Sequence, residues 1–374
     1  MKDLLHRSIP FSASGADLLN IFKDKPYVFL LESSLRHRAL GRYSFLGFEP
    51  FEVVAGNGLE VIERLRKKFA KYFSPEKNPP TPLPGGIVGY LGYDLGLELE
   101  KISARRKDDL PVPGLLFGFY DTILTIDHFA KKLHVTSSDK SRRIDDVLGA
   151  VTDGLTKTQD ALYISPAIVK GNLKLKSNLS SDQYRKTVQT ALSYIREGDI
   201  YQVNLAQRFS TGALPHGRGV HPFELYRSLR RRSPSSFSSY LDAKDFQIIS
   251  SSPERFLSKQ GRLLQTRPMK GTRPRGKNIL QDKKERRNLL LSAKDKAELL
   301  MITDLERNDL GRVCEYGSVK VKNMRTIEAY RSVFQATSTV EGIVRKGMDA
   351  FDVLQACFPG GSITRVRPDV ALRY

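Results

Sequence analysis

Apolar residues in the first part of the chain come in short alternating or continuous runs, which is the pattern of strands. YVFLLES (Tyr27 to Ser33) reads as one strand, and YSFLGFEPFEVVAG (Tyr43 to Gly56) as another, bent at Pro50, which has no N–H to give to a ladder. From Gly58 to Tyr72 the spacing becomes helical, with Leu59, Ile62, Leu65 and Phe69 on one stripe. SPEKNPPTPLPGG (Ser74 to Gly86) reads as a surface loop. LLFGFYDTILTID and KLHVTSS then predict an antiparallel hairpin turning near Phe129.

Residues 141–178 are polar and mixed and read as a linker between an N-terminal region, 1–140, and a second region, 179–364. Ser180 and Gln183 form a capping box ahead of a helix whose apolar face carries Tyr184, Val188, Ala191, Leu192 and Ile195, and Gly198 ends it. DIYQVNLAQRF is expected to lead into a strand. FQIISS and RLLQT predict strands around a tight SSPERF segment, and Ser292 caps a helix over KDKAELLMITDLERND. GSVKVK and RSVFQATSTVEGIV predict two more strands. Hairpin-connected strands with helices between groups of them indicate an α+β fold of large antiparallel sheets flanked by helices.

Composition narrows the class. The 374 residues are 40% hydrophobic and 27% charged, enough for a sizeable core without metal or disulfide support. The two cysteines, Cys314 and Cys357, form no CxxC or Cys/His cluster, which argues against a disulfide framework and a structural zinc site. The N-terminus lacks a signal-peptide pattern and no apolar run approaches a membrane span, so a soluble, cytoplasmic protein without membrane contact is expected. A net charge of +20 suits nucleic acid or an anionic substrate, but the total does not say where the charge sits. The basic runs Arg230 to Arg232 and Lys283, Lys284, Arg286 and Arg287 read as solvated helix faces without an aromatic stacking stripe, so no nucleic-acid partner is expected.

Three residues break the local pattern. Lys270, between Met269 and Gly271 just after a strand, is either a nucleophile or a solvated loop lysine. Glu254 in SSSPERF is a general acid or base, or a turn-capping carboxylate. Glu298, Ile302 and Leu305 share a helical stripe, which puts a carboxylate among apolar residues; a magnesium ion would satisfy it, as would an ion pair with Arg307, Arg312 or a lysine. Gly360, Gly361, Ser362 and Thr364 form a turn whose N–H groups suit a carboxylate.

Taken together and in order, GDIYQVNLAQRF, SSSPERF, TRPMKGTRPRG, ELLMITDLERNDLGRV and PGGSIT resemble the chorismate-binding enzymes. The resemblance runs from about Tyr27 to Thr364 and includes LLES, GRYSFLG and GGIVGYLGYDLG. Within the family the match is to the aminodeoxychorismate synthase component I branch; the anthranilate synthase branch usually has Ala at the position of Lys270 and lacks Asn204. The resemblance implies that chorismate is the substrate and that a separate glutamine amidotransferase subunit supplies ammonia. It implies that Lys270 adds to C2 of the ring, that Glu254 protonates the departing C4 hydroxyl, and that Glu298 holds Mg2+ against the ring carboxylate. Gly360, Gly361, Ser362 and Thr364 would bind substrate, and Leu31, Glu32 and Ser33 of the LLES stretch would line an aromatic amino-acid pocket. Gln335 stands where relatives often carry histidine, so no histidine role is expected there.

After Thr364 the pattern stops. Relatives continue with Gly-Ala-Pro-Lys, a second magnesium carboxylate and closing strands, whereas 365–374 read as an aberrant tail. The expectation is a family fold lacking its C-terminal end, through a frameshift or a short terminus, with impaired synthase activity. The alternatives are an anthranilate synthase component I and a non-catalytic remnant that binds the amidotransferase.

Overall fold

The computed structural model describes residues 4–35, 40–73, 78–102, 110–138, 144–160, 174–200, 202–212 and 221–364. They fall into two compact units that interleave along the chain: unit 1 takes Met1–Leu95, Asp109–Gly171 and Val220–Pro253, and unit 2 takes Gly96–Asp108, Asn172–Gly219 and Glu254–Tyr374. The expected single boundary is therefore replaced by repeated crossings, and 220–253 groups with the N-terminal part.

Unit 1 is built on an antiparallel sheet of seven strands, β1 (Leu5–Pro10), β2 (Phe29–Glu32), β3 (Tyr43–Gly47), β7 (Thr122–Asp127), β8 (Lys132–Ser137), β11 (Phe237–Asp242) and β12 (Gln247–Ser252). Their spatial order is β1-β8-β7-β3-β2-β11-β12. Helices α1 (Gly15–Phe22), α4 (Ile144–Asp160) and α6 (Pro222–Arg232) contribute to a core with Leu18, Leu19, Leu30, Leu46, Leu124, Val151 and Tyr226. A smaller sheet, β4 (Glu52–Gly56), β6 (Leu115–Tyr120) and β5 (Gly86–Leu91), belongs to the same unit, as does α2 (Leu59–Tyr72). A short helix, α3 (Leu95–Leu99), lies where the chain first passes from unit 1 to unit 2.

Several boundaries differ from the sequence reading for local reasons. The strand expected to bend at Pro50 instead divides into β3 and β4, which belong to different sheets; Glu49 adopts a φ of 49°, which no strand continues. LLFGFYDTILTID likewise divides at Asp121 into β6 and β7. All six residues of β7 are buried, which is why its pattern is a continuous run and not an alternation. The turn after it is placed as expected: Asp127 Oδ1 accepts the N–H groups of Phe129 and Ala130, both at 3.0 Å, and Arg42 pairs with Oδ2 at 2.8 Å. Helix α4 lies inside the stretch read as a linker and packs against α1.

Unit 2 contains β9 (Lys176–Ser177), α5 (Ser181–Glu197) and β10 (Phe209–Ser210), followed by its main sheet. That sheet consists of β13 (Arg255–Gln260), β14 (Leu263–Arg267), β15 (Met269–Pro274), β16 (Lys320–Ala329) and β17 (Val333–Ile343). β17 is eleven residues long; β14 and then β15 pair along one edge and β16 along the other. Helices α7 (Ile279–Leu291), α8 (Ala293–Val313), α9 (Ala350–Cys357) and α10 (Gly361–Thr364) complete the unit. One face of the sheet packs Leu264 and Val340 with Leu310 and Val313 of α8 and with the free, buried Cys314 and Cys357. Burial pushes the Cys357 thiol up to about 12.

Helix α5 has the Ser180–Gln183 capping box and the Gly198 stop read from the sequence, but none of its residues is buried among the described ones. Its ends are set by local hydrogen bonds, which need no tertiary partner. DIYQVNLAQRF leads into the short strand β10, where Phe209 and Ser210 pair with Ser177 and Lys176. The α+β class with antiparallel sheets is as expected.

Candidate active site

Five of the sequence motifs meet in unit 2, joined by hydrogen bonds. Glu254 precedes β13, and its Oε1 accepts the backbone N–H of Met269 at 3.1 Å, which sets the carboxyl beside the residue preceding Lys270. Lys270 comes just after β14, as expected, but lies within the next strand, β15, and pairs in register with Ala336 of β17. Ala336 is buried with Leu289, Leu299 and Phe334, so Lys270 leaves its strand on the face covered by the helices.

The next residue explains how the lysine is presented. Gly271 has a φ of 82° and sits at the register shift between Lys270 and Thr272, so β15 bulges there. A Cβ on Gly271 would come within 2.9 Å of both Asp295 Cβ and Leu289 Cδ1. Gly271→Ala is therefore expected to cost about 1–3 kcal/mol, from left-handed strain plus crowding, and to displace Lys270. Chemical denaturation would check the first effect and the reactivity of Lys270 towards an amine-directed reagent the second.

Helix α8 differs from the stripe expected for it. Ile302 is buried, Leu305 is 37% exposed and Glu298 is half-buried. The buried carboxylates are instead Asp295, paired with Arg273 at 2.7 Å, and Glu306, which is 2% exposed. Glu306 Oε2 takes a 3.1 Å hydrogen bond from Thr266 Oγ1 of β14, and its carboxyl also accepts the backbone N–H of Ser362. Burial, then the nearby Asp309 and, more weakly, Glu254 push Glu306 up to about 7 from 4.5, against these two donors.

That shift carries a sign for stability. The folded state holds the Glu306 proton more tightly than the unfolded chain, so the contribution is fully present below about pH 4.5 and is lost as pH rises towards about 7. Glu306→Gln is expected to remove on the order of 2–3 kcal/mol of stability change between pH 5 and 8. Urea unfolding of both proteins at the two pH values would show parallel losses if this assignment were wrong.

The glycine turn rests against the same carboxyl. A Cβ on Gly360 would lie 2.9 Å from Phe256 Cε2, and one on Gly361 would lie 3.2 Å from Leu305 Cβ; each would be 3.8 Å from Glu306 Oε1. Two amides of the expected carboxylate cradle are already engaged, that of Ser362 with Glu306 and that of Ile363 with Gly360 O at 2.9 Å. The Ser362 hydroxyl is buried without a partner. Thr364 ends α10, and its side chain lies outside the described residues, as does the tail 365–374. Asn204 of YQVNL donates to the Ile363 carbonyl, which brings the fifth motif to the same place.

The sequence reading missed Glu306 and also a group from β16: Glu328, buried and paired with Arg267, accepts the Tyr330 hydroxyl at 3.0 Å. Helical spacing does mark Glu306, which stands four residues after Ile302 and four before Leu310 on the buried stripe of α8, whereas Glu328, between Ile327 and Ala329, becomes buried only when the sheet packs. Among the described residues no group of three His, Cys, Asp or Glu side chains could hold a metal ion. Glu298 offers magnesium one carboxylate, short of the six oxygens it takes, so the described side chains do not by themselves make that site.

The profile of the chorismate-binding enzymes matches residues 27–365. The chain belongs to this family. It is 35% identical over 365 residues to aminodeoxychorismate synthase component 1 of Bacillus subtilis, covering 89% of this chain and 75% of that protein. It is also 35% identical over 358 residues to anthranilate synthase component 1 of Thermus thermophilus, covering 92% and 76%. Among solved structures, anthranilate synthase component I from Streptococcus pneumoniae superimposes with a TM-score of 0.72 at 27% identity, over 88% of this chain and 75% of that one. The chorismate-binding fold is thus shared with enzymes of at least two reactions, and overall similarity does not choose between them.

The LLES stretch of the family lies in unit 1. Glu32 is 2% exposed; its Oε2 accepts from Tyr226 Oη and Arg230 Nε, both at 2.7 Å, while Oε1 is buried without a partner. Ser33 N donates to Ser44 Oγ at 3.2 Å, and its hydroxyl lies 3.1 Å from the carbonyls of Leu40 and Ser236. Leu31, on β2, is partly buried. Most of the polar groups expected to receive an amino acid are thus bonded within the chain. Arg230, read as part of a solvated face, points inward. Among the described residues, no helix is long and apolar enough to cross a membrane.

Proposed function

We propose that the chain is the chorismate-aminating component of an aminodeoxychorismate synthase. The observation that carries the reading is the pairing of Lys270, presented at the Gly271 bulge, with Glu254, held at the neighbouring amide. An enzyme that lets ammonia attack chorismate directly has no need of a lysine there.

In this reading the neutral Lys270 amine forms a bond to C2 of chorismate, the ring double bonds shift, and the C4–oxygen bond breaks. Glu254 gives a proton to the leaving hydroxyl, which departs as water. Ammonia then adds at C4, the double bonds shift back, and the C2–lysine bond breaks to regenerate the amine. The ammonia comes from a glutamine amidotransferase subunit. Magnesium at Glu298 would supply positive charge for the substrate's ring carboxylate.

The test is the identity of the product. The purified chain, at a concentration comparable to that of chorismate and supplied with ammonium and magnesium, is expected to form 4-amino-4-deoxychorismate without releasing pyruvate. Anthranilate with stoichiometric pyruvate would overturn this reading in favour of the anthranilate reaction.

A further inference from the structure

We propose that Glu306 is a positioning residue of the chorismate site: its carboxyl fastens the glycine turn that opens α10 to the end of β14, and so fixes that turn relative to Glu254 and Lys270. The proposal rests on the reading that chorismate is held against these motifs. Glu306 itself has no part in that chemistry.

A carboxyl in the interior is costly unless something holds it, and the usual solution is a cation. Among the described residues no cation is paired with Glu306, and the groups around it include the acids Asp309 and Glu254 and the donors Thr266 Oγ1 and Ser362 N–H. Asp309 is itself paired with Arg312 at 2.7 Å, and Cys357 of α9 is also near enough to feel the Glu306 charge. An apolar side chain of similar volume would avoid the desolvation cost, so the interaction that distinguishes a carboxyl here is acceptance of the two hydrogen bonds. Those bonds link separate motifs. Thr266, within β14, shares its one hydroxyl hydrogen between Glu306 Oε2 at 3.1 Å and Phe256 O at 2.7 Å, and Ser362 belongs to the glycine turn. The absence of Cβ atoms at Gly360 and Gly361 lets the turn come this close to Phe256 and Leu305. The buried, unpartnered Ser362 hydroxyl is the donor still open at this turn.

Two variants separate fastening from filling. Glu306→Leu fills the space and removes the acceptor; Glu306→Gln keeps an acceptor. In the full chain, hydrogen exchange in the segment 359–364 is expected to accelerate about tenfold in Glu306→Leu, while the thermal midpoint is not lowered, and to stay near the wild-type rate in Glu306→Gln. The KM for chorismate is expected to rise about tenfold in Glu306→Leu with kcat changed less than threefold, and to be rescued in Glu306→Gln. Unchanged exchange in Glu306→Leu overturns the proposal, and so does a glutamine variant as impaired as the leucine one. Should wild-type chain not bind chorismate, the reading of the site fails separately, and the exchange rates still decide whether Glu306 fastens the turn.

Discussion

Lys270→Ala is expected to lower the rate of 4-amino-4-deoxychorismate formation by about a thousandfold or more, with little change in the stability of the fold. Lys270 is only partly buried, and Gly271 rather than the lysine side chain sets the bulge, so truncation leaves β15 and its pairing with β17 intact. Ammonia would still have a carboxyl at Glu254 to work with, but displacement at C4 would have to proceed without the covalent intermediate that divides it into two easier steps. Quenched single turnovers with saturating ammonium would measure the loss. A companion experiment omits ammonium and looks for a peptide containing Lys270 that has gained the mass of chorismate less one water. A loss below tenfold together with no such adduct would rule out the covalent route.

The second large effect concerns unit 1. Arg230→Ala is expected to destabilise it by about 3–5 kcal/mol, because Glu32 would remain buried with Tyr226 as its one hydrogen-bonded partner. The charge is deep enough that water cannot replace the guanidinium: Glu32 is 2% exposed, and its second oxygen already lacks a partner. Replacing all three groups, as Glu32→Leu with Arg230→Leu and Tyr226→Phe, should recover most of the loss, since the penalty belongs to the unpaired groups and not to the absence of the pair. Urea denaturation followed by tyrosine fluorescence would measure both. Equal losses in the single and triple variants would contradict this account.

Much of the molecule was legible from local chemistry. The helix at 59–72, the Ser180 and Ser292 caps, the Gly198 stop and the Asp127 turn are decided by spacing and by hydrogen bonds a few residues long, and they stand where the sequence puts them. The order of the motifs was likewise enough to name the family and to select Lys270 and Glu254. What failed were readings that extended a pattern through a break. Pro50 looks like a bend within one strand and LLFGFYDTILTID like an unbroken one, yet at Pro50 and again at Asp121 the chain passes from one sheet to another. A period-two pattern has no memory of which sheet it belongs to.

The sequence by itself determined the local elements, the α+β class, the family and the two residues proposed to carry the chemistry, because each depends on residue type and short-range spacing. Only the tertiary structure decided that Asp295 and Glu306, and not Glu298, are the buried acids of α8, that Arg230 faces Glu32, and that Ser362 gives its amide to a side chain of its own protein. Burial of a charge is a property of what packs over it, and here those partners lie from about forty to two hundred residues away in sequence.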